Sequence, residues 1–515
     1  MTGPQDGLAA LWAAAPIALI LVLMLGPGWS AARAGLAALA LAVPLAWTVF
    51  GFGAGAPAAA YGGVAAEAAF LAATILWILW PALALHALQQ ASGAIDTLRA
   101  ALARLTQRPA LQALLVGWFV ALFLEGAAGF GTPIALAAPL LVGLGVPPLQ
   151  AVVLALLGHA AGVSFGALGT PVLAQVGLTG LEAGAIAWRT ALLHALLGPL
   201  LMLFFVRTLA ASGQAPGVGW PALAAAAFLL PALALAALLG PELPTLGAAL
   251  LGGALFAWAL RRHAPAAPGV LTAPVPGVLR ALAPYALLVA LVLLTRGVPP
   301  LAEALGALHW RWGLGEDGSG ASGGPRFGGQ LQPLTHPGTL LFVALLGGAL
   351  WQRVPLRDLR PALAGSARRL LPVCVALLAM LALARLMLHA GMVDALQQAA
   401  VQGLGQAWPL LAPALGALGS FVTGSATASN VLFTTLQVQT AEALALPAAA
   451  LAAAQGFGAA VGNIVCPHNI VAGAATVGLA GREAQVLRHT LVPCLLYLAA
   501  GGVLLTLLLA GPWAA

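Results

Sequence analysis

Residues 122–133 read LFLEGAAGFGTP, an apolar run that closes on Glu125 and is followed by Gly126, Gly129, Gly131 and Pro133. Such a stretch cannot stay one unbroken helix at low cost, because an interior glycine costs about 1 kcal/mol and a proline about 3 kcal/mol relative to alanine. At membrane depth a broken backbone is tolerated only where protein or a water-lined cavity surrounds it. A helix restarting at Thr132 or Pro133 then points free N–H groups into that cavity, and those groups, with the helix dipole, attract a carboxylate.

The chain around this break reads as membrane-embedded. Hydrophobic residues make up 62% of 515 positions, charged residues 6%, and the mean hydropathy is +1.02, whereas a soluble domain carries about 25% charged residues. Candidate spans fall at 8–26, 34–53, 64–86, 110–125, 148–163, 185–207, 218–239, 243–260, 279–296, 338–351, 370–390, 406–422, 444–462 and 489–510. Runs of this kind, at 1.5 Å per residue, suit about 30 Å of hydrocarbon. Segments such as ALWAAAPIALILVLMLG (10–26) lack the alternation of a barrel strand. The expected fold is therefore an all-α integral membrane protein of about 12–14 transmembrane helices. MTGPQDGLAALW at the start lacks the basic region of a secretory signal, so the first run is expected to remain as a span.

Charge narrows the function. All 20 basic side chains are arginine, which removes the phosphate-binding lysine of a P-loop and any Schiff base, and so argues against ATP-driven pumping and lysine chemistry. The net charge of +7 does not indicate nucleic acid, because the arginines sit in short loops rather than along one stripe. Loops 87–109 (Arg99, Arg104, Arg108), 261–280 (Arg261, Arg262, Arg280) and 352–369 (five arginines) are expected in the cytoplasm. The uncharged loop 54–63, the glycine-rich stretch 297–337 and both termini are then expected outside. Cys374, Cys466 and Cys494 lack disulfide or metal spacing, and no HExxH or GxSxG appears, so neither an enzyme nor a cofactor is expected. Trp77, Trp80, Trp351 and Trp408, near proposed span ends, suit an interfacial belt.

An internal repeat extends the first break to four. HAAGVSFGALGTP (159–171) lies over QGFGAAVGNIVCP (455–467) at an offset of 296, and the same offset brings AAGFGTP (127–133) onto TGSATAS (423–429). The arginine loops give the two units opposite orientations, the arrangement of inverted-repeat carriers that bind substrate at broken helices near the midplane. The organisation read from this is N-terminal helices 1–109, a first repeat core 110–207, middle helices and an outer loop 208–369, and a second repeat core 370–515. Candidate substrate ligands from the breaks are Gly129, Gly131, Thr132, Ser164, Thr170, Thr423, Ser425, Thr427, Ser429, Asn430, Asn463 and His468. Each break taken alone could instead be a kink that lets helices pack closely.

Glu125 is the most informative side chain, because a carboxylate at the end of an apolar span is costly unless protonated, paired or solvated. It is the candidate proton carrier, with His159 as a second. Glu67, His86, His194, Arg385 and His389 also lie in or near spans; His86 and His194 read as interfacial, and Arg385 as packing or snorkelling.

At these segments the sequence resembles the bacterial L-lactate permease family, which includes glycolate permeases. The resemblance is carried by FLEGAAGFGTPIA (123–135), FGALGTPVL (165–173), GPELPTL (240–246), FVTGSATASNVLF (421–433) and AATVGLAGREA (474–484), in order along nearly the whole chain. It implies proton-coupled uptake of 2-hydroxymonocarboxylates such as lactate and glycolate across the bacterial cytoplasmic membrane. The partners so implied are a small organic anion, a proton and the lipid bilayer, with homo-oligomerisation left open. Two departures stand out. The family often has an acid where this chain has Ala426, and a lysine and serine where it has Asn463 and Cys466. An acid and a base lost together can leave the charge balanced, while substrate and coupling ion come into question. A carrier of similar architecture for another anion or for sodium, and a passive anion channel, are the competing readings.

Overall fold

The computed structural model describes residues 4–25, 27, 29–129, 131–263, 277–316, 325–479 and 482–511. The chain opens with α1 (Pro4–Leu25), α2 (Ala31–Thr48), α3 (Pro57–Ala91) and the short α4 (Ala94–Ala103). A first set follows: α5 (Pro109–Ala127), α6 (Thr132–Gly143), α7 (Pro148–His159), α8 (Gly166–Thr179) and α9 (Ala183–Ala211). The middle of the chain forms α10 (Gly219–Leu239), α11 (Pro244–His263), α12 (Val278–Gly297), α13 (Pro299–Gly306), strands β1 (Trp310–Glu316) and β2 (Pro325–Leu331), α14 (Pro337–Trp351), α15 (Leu356–His389) and α16 (Met392–Leu404). A second set closes the chain: α17 (Trp408–Thr423), α18 (Ala426–Ala443), α19 (Ala448–Gly462), α20 (Pro467–Thr476) and α21 (Glu483–Leu509).

Eleven helices among the described residues are long and apolar enough to cross a membrane, and three shorter apolar ones accompany them. This agrees with the all-α membrane fold. The broken helices are also the most enclosed. The most apolar part of Pro148–Thr179 is 100% buried and that of Ala448–Thr476 is 94% buried, against 33% for α12 and α21. Irregular backbone is thus kept away from lipid, as its unsatisfied polar groups require.

The order helix, break, helix, turn, helix, break, helix, helix occurs in both sets. α5 ends at Ala127 and its counterpart α17 at Thr423, at the offset of 296 found in the sequence. The sets interlock, because α8 packs on α18, and α9 packs on α19 and α21.

Several elements depart from expectation. α18 lies where no span was expected: its Thr434, Gln437 and Thr440 are fully buried, so its polar residues face protein rather than water. α15 begins at Leu356, so four of the five arginines expected in a loop lie on a helix. The glycine-rich stretch 297–337 contains an antiparallel hairpin, β1 with β2. Phe327 of β2 seats in a notch over Gly63 of α3, where any side chain would collide with the ring, and the Gly328 N–H donates to the Glu67 carboxylate at 3.0 Å.

Candidate functional site

All four breaks open on one cavity. Its volume is about 40 Å³, and its walls are Glu125, Gly129, Gly131, His159, Val163, Gly166, Ala167, Thr170, Pro171, Gly424, Ser425, Ala426, Thr427 and Asn463. At the offset of 296, Gly129 pairs with Ser425, Gly131 with Thr427 and Ala167 with Asn463, and both members of each pair line the same space.

Local chemistry explains the breaks. Gly129 (φ 60°) and Gly131 (φ 75°) are left-handed, which ends α5 and lets α6 restart at Thr132 with no side-chain cap. After a 3-10 turn at Ala160–Phe165, Ala167, Leu168 and Gly169 are all left-handed, so regular helix resumes at Thr170. Gly424 (φ 76°) ends α17, and Ser425 caps α18 by accepting the Ala428 N–H at 3.3 Å. The starts of α6, α18 and the regular part of α8 therefore meet at the cavity, each bringing uncommitted N–H groups and a positive dipole end.

Glu125 and His159 are the titratable side chains in the walls, and no arginine lines them. Glu125 is 5% exposed, and among the described residues its carboxylate makes no hydrogen bond or ion pair. Its oxygen lies where a Gly166 side chain would begin, so any side chain at that position would displace the carboxylate. His159 Nδ1 is 2.7 Å from the Ala155 carbonyl. A carbonyl only accepts, so Nδ1 carries the hydrogen and Nε2 of the neutral ring is left as an acceptor.

The other expected ligands divide. Gly129, Gly131, Thr170, Ser425, Thr427 and Asn463 line the cavity. Asn463 donates to Ser420 Oγ at 2.7 Å and accepts from Asn469 at 2.7 Å, while Thr170 donates to the Ala167 carbonyl at 2.6 Å and so staples the left-handed turn. Ser164, Thr423, Ser429, Asn430 and His468 do not line it. Ser164 lies between His194 Nε2 (2.9 Å) and the Gly456 carbonyl (3.1 Å). Thr423 donates to Gly419, Ser429 to Gly416, and Asn430 to the Pro171 carbonyl at 3.0 Å, which straps α18 to α8. His468 is exposed. The Thr132 side chain lies outside the described residues.

Sequence reasoning passed over the groups that hold these walls in place. Gln455, which pairs with His159 at the offset of 296, is fully buried and donates to Ser429 Oγ at 3.1 Å. Gln175 reaches Ala452 O (2.7 Å) and Thr434 Oγ1 (3.1 Å), joining α8 to α19 and α18. Glutamines inside apolar spans are the signal that would have found them. Arg385, rather than snorkelling, donates to the Gly177 carbonyl at 2.8 Å at the end of α8. His194 is 2% exposed and inside the protein, not interfacial.

Comparison with known proteins bears on this geometry. The L-lactate permease family model matches residues 9–312 and 328–510. The chain is 29% identical to the L-lactate permease of Escherichia coli (strain K12), covering 84% of each. It is 30% identical to the glycolate permease GlcA of the same organism, covering 84% of this chain and 83% of that one. It is 28% identical to the L-lactate permease of Bacillus subtilis (strain 168), covering 89% and 88%. Among solved structures it is similar to the YdaH transporter of Alcanivorax borkumensis, with a TM-score of 0.47, 16% identity and 86% of each chain covered.

Proposed function

Because the chain belongs to the L-lactate permease family, we propose that it carries a small 2-hydroxymonocarboxylate, lactate or glycolate, into the cell together with a proton. It is a transporter rather than an enzyme, and a multi-pass protein of the bacterial cytoplasmic membrane. The names of the relatives, lactate and glycolate permeases, support the substrate class.

One observation carries the coupling: an acidic side chain without a cationic partner shares its cavity with three helix N-termini. The N-termini favour a carboxylate. An ionised Glu125 beside that carboxylate would repel it with no arginine to offset the pair, so the anion and the proton on Glu125 favour each other's binding. Gly129, Gly131, Thr170, Ser425, Thr427 and Asn463 are the substrate-facing groups in this reading, and His159 is the acceptor that can exchange the proton. The other candidates, Ser164, Thr423, Ser429 and Asn430, support them from behind. The two sets are taken as inverted units that alternate access to the cavity.

The test is uptake into proteoliposomes. An inward proton gradient should drive accumulation of labelled lactate or glycolate, and dissipating it should stop accumulation. Accumulation that continues unchanged, or that follows a sodium gradient instead, rejects the proton assignment.

A further inference from the structure

A second, larger cavity of about 550 Å³ lies between residues 50–60 and the hairpin, with Phe52, Arg326, Phe327 and His389 among its walls. It sits at the opposite end of the 35-residue α3 from the arginine-bearing segment 99–108, and so on the side from which substrate arrives in the function proposed above.

We propose that this cavity is an outer docking site for the small carboxylate in transit, with Arg326 as its anion-binding group. Arg326 has no carboxylate partner among the described residues. Its guanidinium lies 5.7 Å from the Phe52 ring centre and 5.4 Å from that of Phe327, within cation–π range of two aromatic walls, and a guanidinium so placed can still donate N–H bonds to a carboxylate.

The neighbouring residues fix that placement. Phe327 is seated over Gly63 and against the His389 ring at 4.7 Å, and Gly328 is tied to Glu67, so the backbone that carries the exposed Arg326 side chain is anchored at the next two residues. The Glu67 carboxylate, 6% exposed, is taken up by Gly328, by His389 at 2.7 Å and by Arg385 at 3.8 Å. The Glu67 carboxylate is therefore taken up away from the cavity, and among the described lining residues Arg326 is the arginine and no acid accompanies it. A cationic wall in a recess concentrates anions at low ionic strength.

The inference rests on the transport reading, and one experiment separates the two. Initial rates of lactate uptake are measured in proteoliposomes against external concentration, for wild type, R326Q and R326K, at low and at raised salt. R326Q should increase the half-saturating concentration roughly fivefold with an unchanged maximal rate, the scale of one charge at a partly exposed site. R326K should fall between, and salt should weaken wild type but not R326Q. Wild-type uptake with equal half-saturation in R326Q, or a variant that loses only maximal rate, overturns the docking site alone. Wild type that takes up neither lactate nor glycolate overturns the transport reading instead.

Discussion

Glu125 and Gly166 form one unit, since the carboxylate fills the space that a Gly166 side chain would need. Replacing Gly166 by alanine should displace the carboxylate and lower uptake at least tenfold while the protein still purifies as a folded species; uptake near wild type would show that the carboxylate's position is not critical. Ala426 and Asn463, where the family often has an acid and a base, both line the same cavity, so the two departures meet in one place. An Ala426→Asp variant should lose anion uptake, because it adds an unbalanced negative charge, and Ala426→Asp with Asn463→Lys should recover part of it. Equal uptake in the single and double variants would contradict this charge logic. At this scale the sequence was readable where backbone chemistry dictates geometry: glycines that end helices and a lone acid in an apolar run. It was less readable for hydroxyl and amide residues, because Ser429 or Asn430 can face a cavity or a neighbouring carbonyl equally well, and only the packing of α17 and α8 decides.

Among the elements, α8 and α18 carry the junction between the two sets, and side-chain amides hold them. Asn430 supplies the donor for the Pro171 carbonyl, the first turn after the left-handed residues. Asn430→Ala removes this buried bond between the two sets and should cost about 1 kcal/mol, read as a lower melting temperature in detergent; an unchanged melting temperature would show that the strap is dispensable. Ala167, at φ 41°, pays for a backbone that glycine adopts freely. Ala167→Gly should therefore raise the melting temperature, and a drop would mean that its methyl contact outweighs the strain. Spans of uniform apolar character were readable in the sequence, but α18 was not. Its Thr434 and Gln437 bond residues of other helices, so hydropathy understates how deeply it lies. The start of α15 was missed for a related reason, since arginines on a helix end read as a loop.

Across the whole molecule, the irregular backbone and the Glu125 carboxyl are enclosed by protein, while unbroken helices such as α12 and α21 are the less buried ones. The repeat foresaw this convergence, because Gly129 and Ser425, Gly131 and Thr427, and Ala167 and Asn463 are matched positions that close on one space. What the repeat could not supply is the size of that space. At about 40 Å³ the cavity holds about three waters, at 10–15 Å³ each, which is tight for a three-carbon hydroxy acid. The most direct measurement of the central claim is the internal pH of proteoliposomes, reported by a trapped indicator, when lactate is added outside. Wild type should acidify the lumen faster than protein-free vesicles as each anion brings its proton, and Glu125→Gln should exchange labelled for unlabelled lactate without that acidification. Acidification by Glu125→Gln at the wild-type rate would contradict the account.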